Sequence, residues 1–446
     1  MVGKPLFLGI DIGTSGIRAS CIDKDNIQLA CHHIDFQNRP AVNGQDNGLY
    51  SAKSEQDPNV WLQLLDELLC GVSEKLQRLQ KNHLINAISI DGTSSTLLAC
   101  SKDGTALSPA LMYNDQRCQK QAEIISRFAP AESAVHGASS SLAKALYLVQ
   151  AYPETERLCH QADWLSASLT GNFGISDENN CLKLGYDSIS QTWPEWLIKN
   201  NENAVIAETM LPDVVSPGFP VGHVLPDLVD RYRLAENCIV VAGTTDSNAA
   251  VLATGASLIG DAVTSLGSTL VVKLFSDKPI FNARYGIYSH RLNNHWLVGG
   301  ASNSGGSVLL QYFTPAQLDE MTPQLDPEQL TGLDYYPLPD IGERFPVNDS
   351  HKQCKISPRP DSDIVFFQGL LEGIANIEAD GYDKLVALGA TPVKRIFTAG
   401  GGSKNQAWKI IRERTTGTKI LSADNSEACY GSALLAKQGF FYSNKL

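Results

Sequence analysis

The sequence predicts an α/β protein built from two similar halves with a cleft between them. Three observations carry that expectation. Apolar strand-like runs alternate with amphipathic helical segments, a glycine-turned hairpin opens each half, and 446 residues exceed one ordinary core.

Residues 6–10 are apolar, residues 11–16 have turn character, and residues 17–22 resume the strand pattern. A Gly/Asn-rich loop follows. Asp57 is placed to cap a helix with Pro58 in its first turn, and Trp61, Leu64, Leu65, Leu68, Leu69, Val72 and Leu76 share one face. Residues 87–90 read as a buried strand running into the polar turn 91–96. A similar programme restarts at the strand 238–242, which ends in Gly243-Thr244-Thr245-Asp246 before a helix from about Ser247. Residues 262–266, the turn Gly267-Ser268 and residues 269–275 repeat the opening hairpin. Residues 373–388 read as a helix, 395–398 as a strand, and 400–405 as a loop before another helix. The division is expected near residues 232–237, giving domains 1–236 and 237–446. The Pro/Asp-rich stretch 322–361 is expected to be a loop-heavy insertion, not a third domain.

Composition narrows the function classes. A formal net charge of −12 argues against a nucleic-acid surface, which needs a local Lys/Arg excess. No stretch reaches the ~20 apolar residues of a membrane span. Asp11 interrupts the short apolar run at the N-terminus and no cleavage site follows, so no signal peptide is read. Ten scattered cysteines without a CxxC pair fit free thiols in a reducing cytoplasm. Cys31-His32-His33 is expected to be a strand end with ordinary polar residues, not a metal site.

Four motifs carry chemistry. In GIDIGTSGIR (residues 9–18) a tight turn lets successive backbone N–H groups face one anion. Thr14 and Ser15 add hydroxyl donors, and Asp11 can hold Mg2+ through water; the plain alternative is an ordinary hairpin. SLGST (residues 265–269) is weak alone, but two facing phosphate loops could clamp a triphosphate. Asp246 in GTTD stands at a strand-to-helix junction, where α/β proteins bind ligands. In isolation it reads equally as a helix cap; beside the two hairpins it reads as a base kept ionised by the helix end. FTAGGGSKN (residues 397–405) lacks GxGxxG spacing, and the chain has no GxxxxGK[ST], so Rossmann and P-loop readings fail. Its glycines would let a flat adenine lie against backbone with Asn405 as polar anchor, or form a plain flexible loop.

Together these pieces resemble the FGGY carbohydrate kinases of the actin-like superfamily, in order along nearly the whole chain. GIDIGTSGIR, EQDPNVW (residues 55–61), MYNDQR (residues 112–117), DWLSASLTG (residues 163–171), AGTTDSNAA (residues 242–250), LGST, AGGGSKNQAW and GSALLA (residues 431–436) carry the likeness. It implies two actin-like, ribonuclease H-like domains, a small-molecule sugar as acceptor, and ATP with Mg2+. By the same resemblance Asp246 is the general base and Asp11 organises Mg2+. Thr14, Ser15, Gly267, Ser268 and Thr269 would contact phosphates, and Gly400, Gly401 and Asn405 the adenosine. The sugar is expected against the first domain, at Asp11, Thr93, Ser94, Asp115 and Asp246. Domain closure over the sugar would exclude water as a competing acceptor.

Asp91-Gly92-Thr93-Ser94-Ser95 is similar to the D-x-T-(S/C)-(S/C) stretch of the family's ribulose kinases, where its xylulose kinases usually have Met-His or Gln-His. D-ribulose is therefore the expected substrate, D-xylulose the alternative, and for Ser94 a turn-stabilising role stays open. Tyr147 and Tyr113 replace tryptophans of the family pattern, and only the first half of its second signature survives, in residues 369–374. Readings of another class are an actin-like ATPase switch and a silent sugar-binding homologue. Monomer and homodimer are both left open, with no nucleic-acid or membrane partner expected.

Overall fold

Leucine, isoleucine and phenylalanine fill the first apolar run, and they make a strand. The computed structural model describes residues 4–36, 54–79, 84–198 and 206–443. In it β1 (Leu6–Ile12) turns into the antiparallel β2 (Gly16–Ile22), followed by β3 (Gln28–Asp35). The parallel strands β4 (Ile85–Gly92) and β6 (Ile239–Val241) extend the other side, with β5 (Pro220–His223) antiparallel at the edge. The sheet order is β5-β6-β4-β1-β2-β3. Every residue of β1 is buried, as a strand covered on both faces must be.

One cover is α1 (Pro58–Arg78). Asp57 caps it by accepting the Asn59 N–H, and the expected apolar face from Trp61 to Leu76 is buried. A four-stranded sheet joins Glu55–Gln56, Ala110–Leu111, Leu97–Cys100 and Arg157–His160. Beside it lie α2 (Ser141–Ala151) and α3 (Gln161–Thr170), and α4 (Asp246–Ala253) follows β6. The Gly/Asn-rich loop lies largely at residues 37–53, outside the described residues. Cys31, His32 and His33 sit within β3, not at its end, and no group of three or more potential metal ligands occurs among the described residues. All ten cysteines are free thiols.

The strand programme then recurs. β7 (Asp261–Leu266) and β8 (Leu270–Ser276) form the second hairpin, extended by the antiparallel β9 (Tyr288–Leu292) and β10 (His295–Ala301). On the other side lie the parallel β11 (Arg395–Ala399) and β12 (Ile420–Ser422), in the order β9-β10-β8-β7-β11-β12. In both sheets the first hairpin strand pairs with its partner antiparallel and with a later strand in parallel. That repetition is the duplicated α/β architecture expected from the sequence.

The second sheet is accompanied by α5 (Pro315–Met321), α6 (Asp363–Ala387) and α7 (Gln406–Thr416). The sequence reading began α6 at residue 373; the helix begins ten residues earlier, capped by Ser362. Within it, Gly369 and Gly373 serve close packing. A Cβ at Gly369 would come within 2.7 Å of Leu333 Cδ1, and one at Gly373 within 2.7 Å of Pro337 Cδ. The irregular stretch 322–361 thus lies directly on α6, with Tyr335, Leu338 and Phe345 buried. Inside this unit Arg412 and Glu378 form a fully buried bidentate pair at 2.6 and 2.7 Å. Thr264 Oγ1 donates to Glu378, and Arg412 donates to Thr398, so one network ties β7, β11, α6 and α7.

The final helix, α8 (Ala428–Ser443), returns to the first sheet, where Ala433 and Ala436 share a core with Phe7, Ala87 and Val241. The two compact units are accordingly Met1–Ala253 with Glu427–Leu446, and Thr254–Ser426. The expected division at 236/237 falls earlier than this, because β6 pairs with β4 in the first sheet and carries α4 with it.

Candidate active site

Three aspartates meet at the carboxyl ends of neighbouring parallel strands of the first unit. Asp11, the penultimate residue of β1, is in register with Asp91 of β4, and Gly92 bridges to Thr245, one residue before Asp246 at the start of α4. This end of an open α/β sheet is where ligands bind. Asp91 is fully buried; its Oδ2 accepts the Ser432 hydroxyl at 2.5 Å, while no donor among the described residues reaches Oδ1. Burial, then the charge of Asp11, pushes the Asp91 carboxyl well above the usual range. Burial raises Asp11 too, opposed by Asp91 as a hydrogen-bond partner and by Arg18, whose Nη1 lies 3.5 Å away. Asp246 is half-buried and its Oδ1 accepts the Ser247 N–H at 2.6 Å. Thr14 and Ser15 are exposed at the tip of the β1–β2 hairpin.

The turn after β4 is bound from behind. Gln161 Oε1 accepts both the Thr93 N–H (3.0 Å) and the Thr93 hydroxyl (2.9 Å). Thr96 Oγ1 lies 2.5 Å from Thr93 Oγ1 and accepts the Tyr113 N–H at 3.1 Å. Gln161 Oε1 can only accept, so the chain runs Tyr113 to Thr96 to Thr93 to Gln161. The Thr93 hydroxyl, expected to touch substrate, is instead spent inside the turn. Ser94 is half-buried, with no hydrogen bond among the described residues. Asp115 is buried, and its carboxylate takes the Arg117 backbone N–H at 3.0 Å and guanidinium at 2.6–3.0 Å. Arg117 also pairs with Glu55. Asp115 therefore positions Arg117 rather than offering an empty carboxylate.

Sequence reasoning missed Lys144 as part of this region. Lys144 is fully buried and donates to the carbonyls of Ser95 (2.8 Å) and Met112 (2.7 Å). Burial pulls its ammonium down to about 7, against the opposing charge of Asp115. Its partners are backbone atoms far along the chain, which no residue pattern announces.

The second unit contains a cavity of about 530 Å³. Gly267 and Ser268 of the second hairpin and Gly401 and Asn405 of the glycine turn all line it, so two motifs distant in sequence converge. Leu309, Leu318, Phe367, Leu371 and Trp408 give it apolar walls suited to a flat heteroaromatic ring. Thr269 and Gly400 are not among its lining. Gly400 has φ +83°, and a Cβ there would come within 2.7 Å of Leu266 O, so it turns the chain against β7. Asn405 caps α7 through Oδ1 to Trp408 N (2.9 Å) and donates Nδ2–H to Thr322 Oγ1 (3.2 Å). Its amide shapes the wall and is already engaged. The segment SNSGGS (residues 302–307) was also missed. Gly306 N–H and Ser307 N–H donate to the Gly267 and Ser268 carbonyls, bracing the second hairpin; a Gly-Gly pair after a strand was its only sequence signal.

Two family models match the chain: the FGGY family of carbohydrate kinases, N-terminal domain, over residues 6–253, and the same family's C-terminal domain over residues 262–438. The chain belongs to the FGGY family of carbohydrate kinases. It is therefore a sugar kinase, a phosphotransferase. Among curated FGGY relatives, the xylulose kinase of Lactococcus lactis is 25% identical over 422 residues, covering 89% of this chain and 80% of its own. The xylulose kinase of Escherichia coli K12 is 22% identical over 441 residues, covering 93% and 86%. In fold the chain is similar to a xyloylose kinase from Brucella ovis, with a TM-score of 0.84 at 21% identity over 98% of this chain and 91% of that one. A Plasmodium falciparum glycerol kinase with ADP is similar at a TM-score of 0.81 and 19% identity, covering 98% and 90%. These likenesses show that both FGGY domains are represented and that the fold runs through the whole described chain.

Proposed function

We propose that this FGGY kinase transfers the γ-phosphoryl group of MgATP to a primary hydroxyl of a pentulose, D-ribulose giving D-ribulose 5-phosphate. The observation that carries the pentulose assignment to D-ribulose is the turn after β4. The Thr93 N–H and both threonine hydroxyls are occupied, and Ser94 offers a half-buried hydroxyl with no partner among the described residues. A small hydroxyl donor there suits a ketose differently from an imidazole. D-xylulose is the second reading, favoured by the names of the curated relatives.

Phosphoryl transfer asks the protein mainly for positioning and charge neutralisation. Asp246 would accept the proton of the attacking hydroxyl as the phosphoryl group leaves ATP. The apolar cavity would take the adenine and the second hairpin the phosphates, with Thr14 and Ser15 as further phosphate donors. The donor set also fits a divalent ion: Asp11 and the donorless Oδ1 of Asp91 are carboxylate oxygens side by side. Mg2+ typically arrives on nucleotide phosphates and takes one or two carboxylates, as these two residues could supply. When bound, the ion neutralises phosphate charge.

The test is ketose-dependent ADP formation by the wild type and Ser94→Ala against D-ribulose, D-xylulose, L-ribulose, ribitol and glycerol. A D-ribulose preference is expected, with the D-ribulose KM of Ser94→Ala raised roughly 5–30-fold, as for loss of a hydrogen bond worth about 1–2 kcal/mol. A D-xylulose preference, or an unaltered KM in the variant, would overturn the reading of the turn.

A further inference from the structure

We infer that Lys144 is a positioning residue that locks the turn 93–96 and the segment 112–115 to each other, and thereby sets the spacing of the groups that face the ketose. The inference rests on the kinase reading above. Lys144 comes from the first turns of α2, is fully buried, and makes no salt bridge among the described residues. A buried ammonium is costly unless its protons are used. Two of them are used, on the carbonyls of Ser95 and Met112 at 2.8 and 2.7 Å.

Those carbonyls belong to the residues next to Ser94 and Tyr113, the half-exposed hydroxyl and the 45% exposed aromatic ring of this region. Ser95 has φ +64°, a left-handed conformation that serine adopts reluctantly, and Lys144 engages its carbonyl in that conformation. A second tie between the same two segments runs from Tyr113 N–H to Thr96 Oγ1. It joins a backbone amide to a side chain, whereas Lys144 joins the two backbones. Without the ammonium, two buried carbonyls would lose their donor and the turn would relax toward an unstrained Ser95. Ser94 would then shift relative to Tyr113. A ketose contacts several hydroxyl-binding groups at once, so its binding is sensitive to that spacing in a way nucleotide binding is not.

The experiment compares the wild type with Lys144→Met, of similar length and without donors, and Lys144→Arg, which keeps the charge on a larger, planar group. KM for ketose, KM for ATP, kcat and calorimetric nucleotide affinity are measured for each. The expected result is a ketose KM raised about tenfold or more, with ATP KM and nucleotide affinity unchanged. The nucleotide cavity lies in the other unit with its own core, so folding of the first unit is checked separately, by a denaturation transition as cooperative as that of the wild type. If Lys144→Met lacks that transition, Lys144→Arg carries the comparison. A ketose KM within about twofold of the wild type, or ketose and nucleotide affinities falling together in Lys144→Arg, would overturn the inference. A wild type with no ketose-dependent turnover removes the kinase reading instead, and this inference with it.

Discussion

Asp246 combines a helix-start position with the base role proposed above. It opens α4, accepts the Ser247 N–H, and stands at the strand ends beside Asp11 and Asp91. Lys144 makes a sharper thermodynamic statement. The unfolded chain holds this proton up to about 10.5, whereas burial makes the folded chain release it near 7. Between those values the unfolded state binds more protons, so the penalty for burying the ammonium fades as pH rises. Asp115 and Cys118 favour the charged form, and Lys183 and Arg117 oppose it. The wild type should therefore gain stability relative to Lys144→Met between pH 7 and 10, read as urea midpoints; parallel curves would contradict the assignment. The turn that carries Ser94 and the helix start at Asp246 were legible because polar residues directly after an apolar strand mark where the strand ends. The bond that holds Thr93 was not, because its partner, Gln161, lies 68 residues away.

Elements depend on contacts that local patterns do not contain. The apolar face of α1 was readable residue by residue, since a 3.6-residue period and an Asp-Pro start are local signals. The first ten residues of α6 were not, because Gly369 and Gly373 owe their identity to a loop that crosses the helix. The Arg412–Glu378 pair holds β7, β11, α6 and α7 around the second hairpin and the glycine turn. Arg412→Met leaves Glu378 buried without its cation and should destabilise the protein by about 3–5 kcal/mol. Chemical denaturation measures it, and a loss under about 1 kcal/mol would mean that the network contributes little.

At the scale of the whole molecule, the duplication was visible because both halves begin with the same glycine-turned hairpin. The division was harder to read, since β6, α4 and the returning α8 belong with the first sheet. That arrangement gives the first unit all three aspartates and the second unit the cavity lined by Gly267, Ser268, Gly401 and Asn405. The proposed base and the proposed nucleotide cavity can thus be altered separately. The most direct test measures ADP formation with MgATP and D-ribulose for the wild type and Asp246→Ala, with nucleotide affinity determined in parallel. A fall of about 10²–10⁴-fold in ketose-dependent turnover with nucleotide affinity retained is the predicted result. A near-normal rate from Asp246→Ala would contradict its role as the base that accepts the sugar's proton.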